Sequence, residues 1–67
     1  MSIARVTEII ATSKTSVEDA IQNGVERACK TLNGVQGAWV QDTQVKVKDN
    51  KITEYRVNLK VTFILQD

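Results

Sequence analysis

Hydrophobic and polar positions alternate most regularly between Ile52 and Leu65, in the stretch ITEYRVNLKVTFIL. Odd positions carry Thr53, Tyr55, Val57, Leu59, Val61, Phe63 and Leu65, while even ones carry Ile52, Glu54, Arg56, Asn58, Lys60, Thr62 and Ile64. A period of two, rich in β-branched and aromatic residues and free of Gly and Pro, predicts a strand with one face in a core and a more polar face opposite. The run is far longer than the usual strand of about 5–6 residues. At a sheet edge its free backbone groups would recruit other chains, so it is expected at the centre of a sheet.

Upstream, Ser2–Ala11 (SIARVTEIIA) reads as a first strand anchored by Val6, Ile9 and Ile10. Ile9 and Ile10 are adjacent and must point to opposite faces, so either both faces are covered or one Ile is exposed. Thr12–Thr15 is a polar connection, and a helix begins at Thr15 or Ser16. Thr15 with Glu18, or Ser16 with Asp19, has capping-box spacing. Glu18 and Asp19 suit the positive end of the helix, and Arg27 and Lys30 the negative end. Val17, Ala20, Ile21, Gly24, Val25, Ala28, Cys29 and Leu32 form a stripe at helical spacing, which Asn33-Gly34 stops. Gly24 costs about 1 kcal/mol relative to Ala in a helix, which points to close approach of the sheet. Cys29 lies in the stripe and reads as a small core residue.

Val35–Lys48 reads as the second strand, and its phase breaks midway: Ala38 and Val40 are even, Val45 and Val47 odd. One extra residue between Gln41 and Gln44, a β-bulge, would put all four on the core face. The hairpin that follows is expected to turn on a three-residue loop, Asp49-Asn50-Lys51, with Asn50 or Lys51 near the left-handed region. That register sets Val45 opposite Tyr55, Val47 opposite Thr53 and Lys46 opposite Glu54, the last a favourable charge pair.

The predicted order is strand, helix, strand, strand, an α+β arrangement. A right-handed crossover makes the first two strands parallel with a gap between them. The third strand fills that gap antiparallel to both, giving a three-stranded antiparallel sheet with the third strand central. The helix covers one face and nothing in the sequence remains for the other.

At 67 residues the chain reads as one domain, 1–67, and a chain of this size buries only about 60% of its unfolded surface. Cys29 is the only cysteine, so no intrachain disulfide can help, and oligomerisation is the natural source of further stability. The sequence shows no signal peptide and no membrane-length apolar run, so a cytoplasmic protein with no membrane partner is expected. With no His and one Cys, a zinc site or a His-based triad has no ligands to draw on, and no enzyme is expected. A net charge of +1 argues against nucleic acid as a partner.

Past the bulge, Gly37, Trp39 and Gln41 point away from the helix, as do Arg56, Asn58, Lys60, Thr62 and Ile64. Trp39 is the only tryptophan, on a face that the protomer cannot bury. An aromatic of this size buries roughly 150–250 Å², worth about 4–6 kcal/mol. It marks a subunit contact or a platform for a flat ligand, the plainer alternative being a surface cation–π contact with Lys60.

The order of elements, SKTSVEDAIQNGVERACKTLNGV and above all ITEYRVNLKVTF resemble the dodecin family over nearly the whole chain. The resemblance implies a β-α-β-β protomer whose sheet curls around one helix. It further implies a hollow homododecamer with the sheets inward, and non-catalytic storage or sequestration of a flavin, riboflavin or FMN. In flavin-binding members a Trp at the start of the second strand stacks on the ring, and a Gln after the Tyr of the third strand hydrogen-bonds it. Counted without gaps, those positions fall here on Gly37 and Arg56, with Trp39 two residues later on the same face. The flavin-contacting residues expected on this basis are Trp39, Arg56, Gly37 and Gln41. The alternative is a dodecin-like shell without flavin that binds cations or another small ligand, or is purely structural. Glu8, Asp42 and Glu54 are its oxygen donors on strands, although no spaced loop motif unites them.

Overall fold

The computed structural model describes residues 3–65. Strand β1 (Ala4–Ser13) leads into helix α1 (Val17–Thr31), and the long hairpin of β2 (Val35–Lys48) and β3 (Lys51–Ile64) completes the fold. The sheet order is β1-β3-β2, with β3 antiparallel to both neighbours. The centre of the sheet is therefore the strand that the alternation put there. β1 begins and ends two residues later than expected, and the proposed start at Ser2 lies outside the described residues.

Ser16 is the N-cap of α1, accepting from the Asp19 N–H at 3.0 Å, so of the two capping registers the chain uses Ser16 with Asp19. The Asp19 carboxylate does not close the box. It accepts instead from the hydroxyl of buried Ser13 at 2.6 Å and from Asn23 Nδ2 at 3.2 Å. Ser13 Oγ in turn accepts from the Thr15 N–H at 2.9 Å, so the last residue of β1 and the first turn of α1 are tied together. At the other end Leu32 donates to Ala28 O at 2.8 Å, and Gly34 turns the chain at φ +73°.

Ala20, Gly24 and Ala28, four apart on one face of α1, are buried against Val57, Leu59 and Val61 of β3. Ile9 and Ala11 of β1 pack at the side. Three small residues in a row let the helix lie close, and a Cβ at position 24 would stand 2.8 Å from Leu59 Cδ1. Cys29 departs from its expected place: it is exposed. One residue on from Ala28 means about 100° of rotation, enough to leave a stripe one small residue wide. Ile10 is the exposed member of the Ile9–Ile10 pair.

A bulge is present, though at Gln41 itself and not between Gln41 and Gln44 as expected: Gln41 is skipped between the pairs Val40–Leu59 and Asp42–Asn58. A second register shift skips Gln36. The hairpin corrects the three-residue loop. Lys48 pairs with Lys51 and Val47 with Ile52, so the loop is Asp49-Asn50, at φ 53° and 65°. Two left-handed residues make a primed-type turn, whose twist matches that of the strands, and Asp and Asn tolerate that region. Thr53 becomes a bulge, and the Val45–Tyr55 and Lys46–Glu54 pairs stand as expected.

Val45 and Val47 do lie on the helix side of the sheet, yet they are exposed. The reason is length. Fifteen helical residues span about 22 Å, whereas each fourteen-residue strand spans about 46 Å. The hairpin runs on past the helix, and the protomer measures 52 × 19 × 13 Å.

Candidate functional site

Alternation along β3 and the two registers together assign the open face row by row. Reading β1–β3–β2, the rows are Thr12–Arg56–Gln44, Ile10–Asn58–Asp42, Glu8–Lys60–Trp39 and Val6–Thr62–Gly37. β3 supplies the central column and is half-buried by its neighbours, while the β2 column is exposed throughout.

Trp39 is 49% exposed. Lys60 Nζ lies 5.8 Å from the centroid of its ring, so the surface cation–π contact is present and still leaves half of the indole uncovered. Lys60 sits between Glu8 and Trp39 and makes no ion pair with Glu8 among the described residues, where the one salt bridge is Lys46–Glu54 at 3.7 Å. Next to Trp39 on the same face, a Cβ at Gly37 would meet nothing within 4 Å, which leaves open space beside the indole. Gln41 bulges opposite Asn58 on the other flank.

Arg56 Nε and Asn58 Oδ1 are buried with no hydrogen-bond partner. An unmet buried polar atom costs about 1–3 kcal/mol, so each atom needs a partner, water included, from outside the protomer's own groups. Asn58 was not singled out in the sequence as a site residue. The signal available was a polar amide set between Val57 and Leu59 at the middle of the central strand.

Of the residues expected to meet a ligand, Gly37, Trp39 and Gln41 lie together along β2. Arg56 does not join them within one protomer. Trp39 pairs with Lys60, and Arg56 lies four residues further along β3, about 13 Å away. The oxygen donors Glu8, Asp42 and Glu54 occupy three different rows, and Glu54 already faces Lys46. Among the described residues no group of three His, Cys, Asp or Glu side chains could hold a metal ion.

Similarity to known proteins decides the family. The model of the family described as Dodecin matches residues 3–66. The chain belongs to the dodecin family. Calcium dodecin of Mycobacterium tuberculosis is 35% identical over 63 residues, covering 94% of this chain and 89% of that protein. Its crystal structure, described as that of a calcium-chelating antigen with a novel calcium-binding site, superposes with a TM-score of 0.83 over 97% of this chain and 93% of that one. The dodecin of Streptomyces davaonensis superposes with a TM-score of 0.92 at 35% identity, covering 98% of this chain and 97% of that one. A variant of T. thermophilus dodecin reaches 0.94 at 30% identity, with all of both chains covered. These dodecins share the β-α-β-β protomer with its central third strand.

Proposed function

We propose that the protomer assembles with copies of itself into a closed shell, twelve copies as the family resemblance implies, and that the shell holds a flavin against Trp39 without catalysing a reaction. The observation that carries this reading is a half-exposed indole on a sheet face that nothing in the protomer covers, beside the open space at Gly37. A flat, electron-poor ring stacks on such an indole, and the space at Gly37 admits its edge. Arg56, four residues away, reaches a ligand held by a neighbouring copy more readily than one held by its own Trp39. There its guanidinium meets a ring carbonyl or the phosphate of FMN and gives Nε a partner.

Two whole-protomer quantities support assembly. The radius of gyration is 13.8 Å, against about 11 Å for a compact domain of this length. The exposed area is 5089 Å², about a fifth more than the roughly 4,250 Å² of a compact monomer of this mass. No helix among the described residues is long and apolar enough to cross a membrane; a cytoplasmic store is part of the proposal. Titrating riboflavin and FMN while following flavin fluorescence tests it. Quenching by the wild type, with affinity at least tenfold weaker in Trp39→Ala, is the expected result. No quenching by wild type, or equal quenching by both proteins, removes Trp39 as the stacking residue.

A second reading is favoured by the 35% identity to calcium dodecin: the shell binds a cation. No three-donor group forms within the described protomer, so on this reading Asp42 or Glu8 of more than one copy contributes to the site. Calorimetry with Ca²⁺ on wild type and Asp42→Asn distinguishes it from the flavin reading.

A further inference from the structure

Arg56 and Asn58 stand two residues apart on β3, share the open face and are both half-buried. Arg56 Nε, a donor, and Asn58 Oδ1, an acceptor, are closed to solvent within the protomer and meet no hydrogen-bond partner. For Asn58 the register explains why. Its row neighbours are Ile10, which has no polar side-chain atom, and Asp42, whose carboxylate oxygens accept and do not donate. Further along the strand, Lys60 leans over the Trp39 ring, 5.8 Å from its centroid. Oδ1 is thus surrounded by an apolar group, another acceptor and a cation engaged with the indole.

An oxygen so placed gives up no hydrogen bond when it moves. Rotation about χ2 turns an asparagine amide over without disturbing the backbone. Residues at i and i+2 on a strand are about 7 Å apart, a gap that a long arginine side chain spans. The open face therefore offers one donor and one acceptor side by side. Arg56 alone cannot make that pair, since the N–H groups of a guanidinium only donate. A ligand edge with a carbonyl next to an N–H answers both, and the imide edge of a flavin ring has that order. Asn58 also lies in the row between those of Trp39 and Arg56, so its amide is nearer to the stacking surface than the guanidinium is.

We propose that Asn58 reads the imide edge of the stacked ring: its Oδ1 accepts from the imide N–H while the Arg56 guanidinium donates to the neighbouring carbonyl. The inference rests on the flavin reading above and adds the residue that sets which rings the site accepts. A ring without that N–H leaves Oδ1 unmet, and sites built around such a bond reject ligands that lack it.

Riboflavin and an analogue methylated at the imide nitrogen, both titrated by flavin fluorescence, test this without a phosphate to engage Arg56. Wild type is expected to bind riboflavin about tenfold more tightly than the analogue, the worth of one hydrogen bond. Asn58→Leu keeps the side-chain volume and removes the acceptor. It is expected to lose about tenfold in riboflavin affinity and to bind the analogue as wild type does. Circular dichroism checks its fold, and Asn58→Val, β-branched and smaller, takes its place if leucine disturbs the sheet. Arg56→Met is expected to weaken both flavins alike, because both keep the carbonyl. Unchanged riboflavin affinity in Asn58→Leu, or equal weakening of riboflavin and analogue by it, overturns the role of Asn58 while quenching at Trp39 stands. Unchanged riboflavin affinity in Arg56→Met overturns the pairing. A wild type that quenches neither flavin overturns the flavin reading and this inference with it.

Discussion

A Cβ at position 24 would lie 2.8 Å from Leu59 Cδ1 and 3.0 Å from Ala11 Cβ, so the separation between α1 and the sheet is set at a single glycine. Gly24→Ala gains about 1 kcal/mol of helix propensity and meets an overpacking cost of about 1–3 kcal/mol. Ala11 Cβ is tied to the backbone and cannot rotate away, and Leu59 is fully buried, so the cost is expected to win. A net loss of about 1 kcal/mol, read as a lower denaturant midpoint, is the prediction; a stabilised variant would show that the helix rides further out than described. Leu59→Asp places an unpaired charge where the side chain is 0% exposed and is expected to abolish folding. Lys48→Ala, on an exposed position near the turn, is expected to stay within about 0.5 kcal/mol of wild type. Circular dichroism separates the two outcomes.

The elements differ in how much of their geometry is local. Alternation along β3 and the spacing of Ala20, Gly24 and Ala28 are properties of consecutive residues, so the central strand, the helix and its buried face were legible before any contact was known. That β2 carries a bulge was legible for the same reason, since two apolar phases in one strand require an odd residue between them, but its place at Gln41 was not. The turn was not. Two- and three-residue loops both suit Asp49-Asn50-Lys51, and the choice depends on φ at Asp49, which no pattern of polarity reports. Cys29 was misplaced because a stripe read from residue type does not tell how wide a strip of helix the sheet covers. Among the site residues, polarity placed Gly37, Trp39, Gln41 and Arg56 on one face but carried no distance along it. The turn offers a direct test. Asn50 stands at φ 65°, where Gly is free of Cβ strain, so Asn50→Gly is expected to stabilise the hairpin by about 0.5 kcal/mol or more. Under a three-residue loop with Lys51 left-handed, Lys51→Gly would be the stabilising change instead. Thermal midpoints of the two variants at one protein concentration decide between these turns.

At the scale of the whole molecule, the core among the described residues is five buried apolar side chains, Ala20, Ala28, Val57, Leu59 and Val61, beneath the helix in a protomer 52 Å long. Among the exposed apolar side chains outside it are Ile10, Trp39, Val45, Val47 and Ile52, each 46–63% exposed. A core of that size does little to hold the far end of the hairpin, where a single exposed ion pair, Lys46–Glu54, contributes about 0–1 kcal/mol. Burying those five side chains between copies would add apolar contact worth about 25 cal/mol per Å². Folding and assembly are then linked equilibria, and stability depends on protein concentration through mass action. Wild-type protein scanned from sub-micromolar to near-millimolar concentration is expected to show a thermal midpoint that rises throughout, while Val47→Asp/Ile52→Asp shows a lower, flat one. A wild-type midpoint independent of concentration, together with sedimentation as a single folded protomer, would mean that the five residues outside the core do not stabilise the fold by contact with other copies.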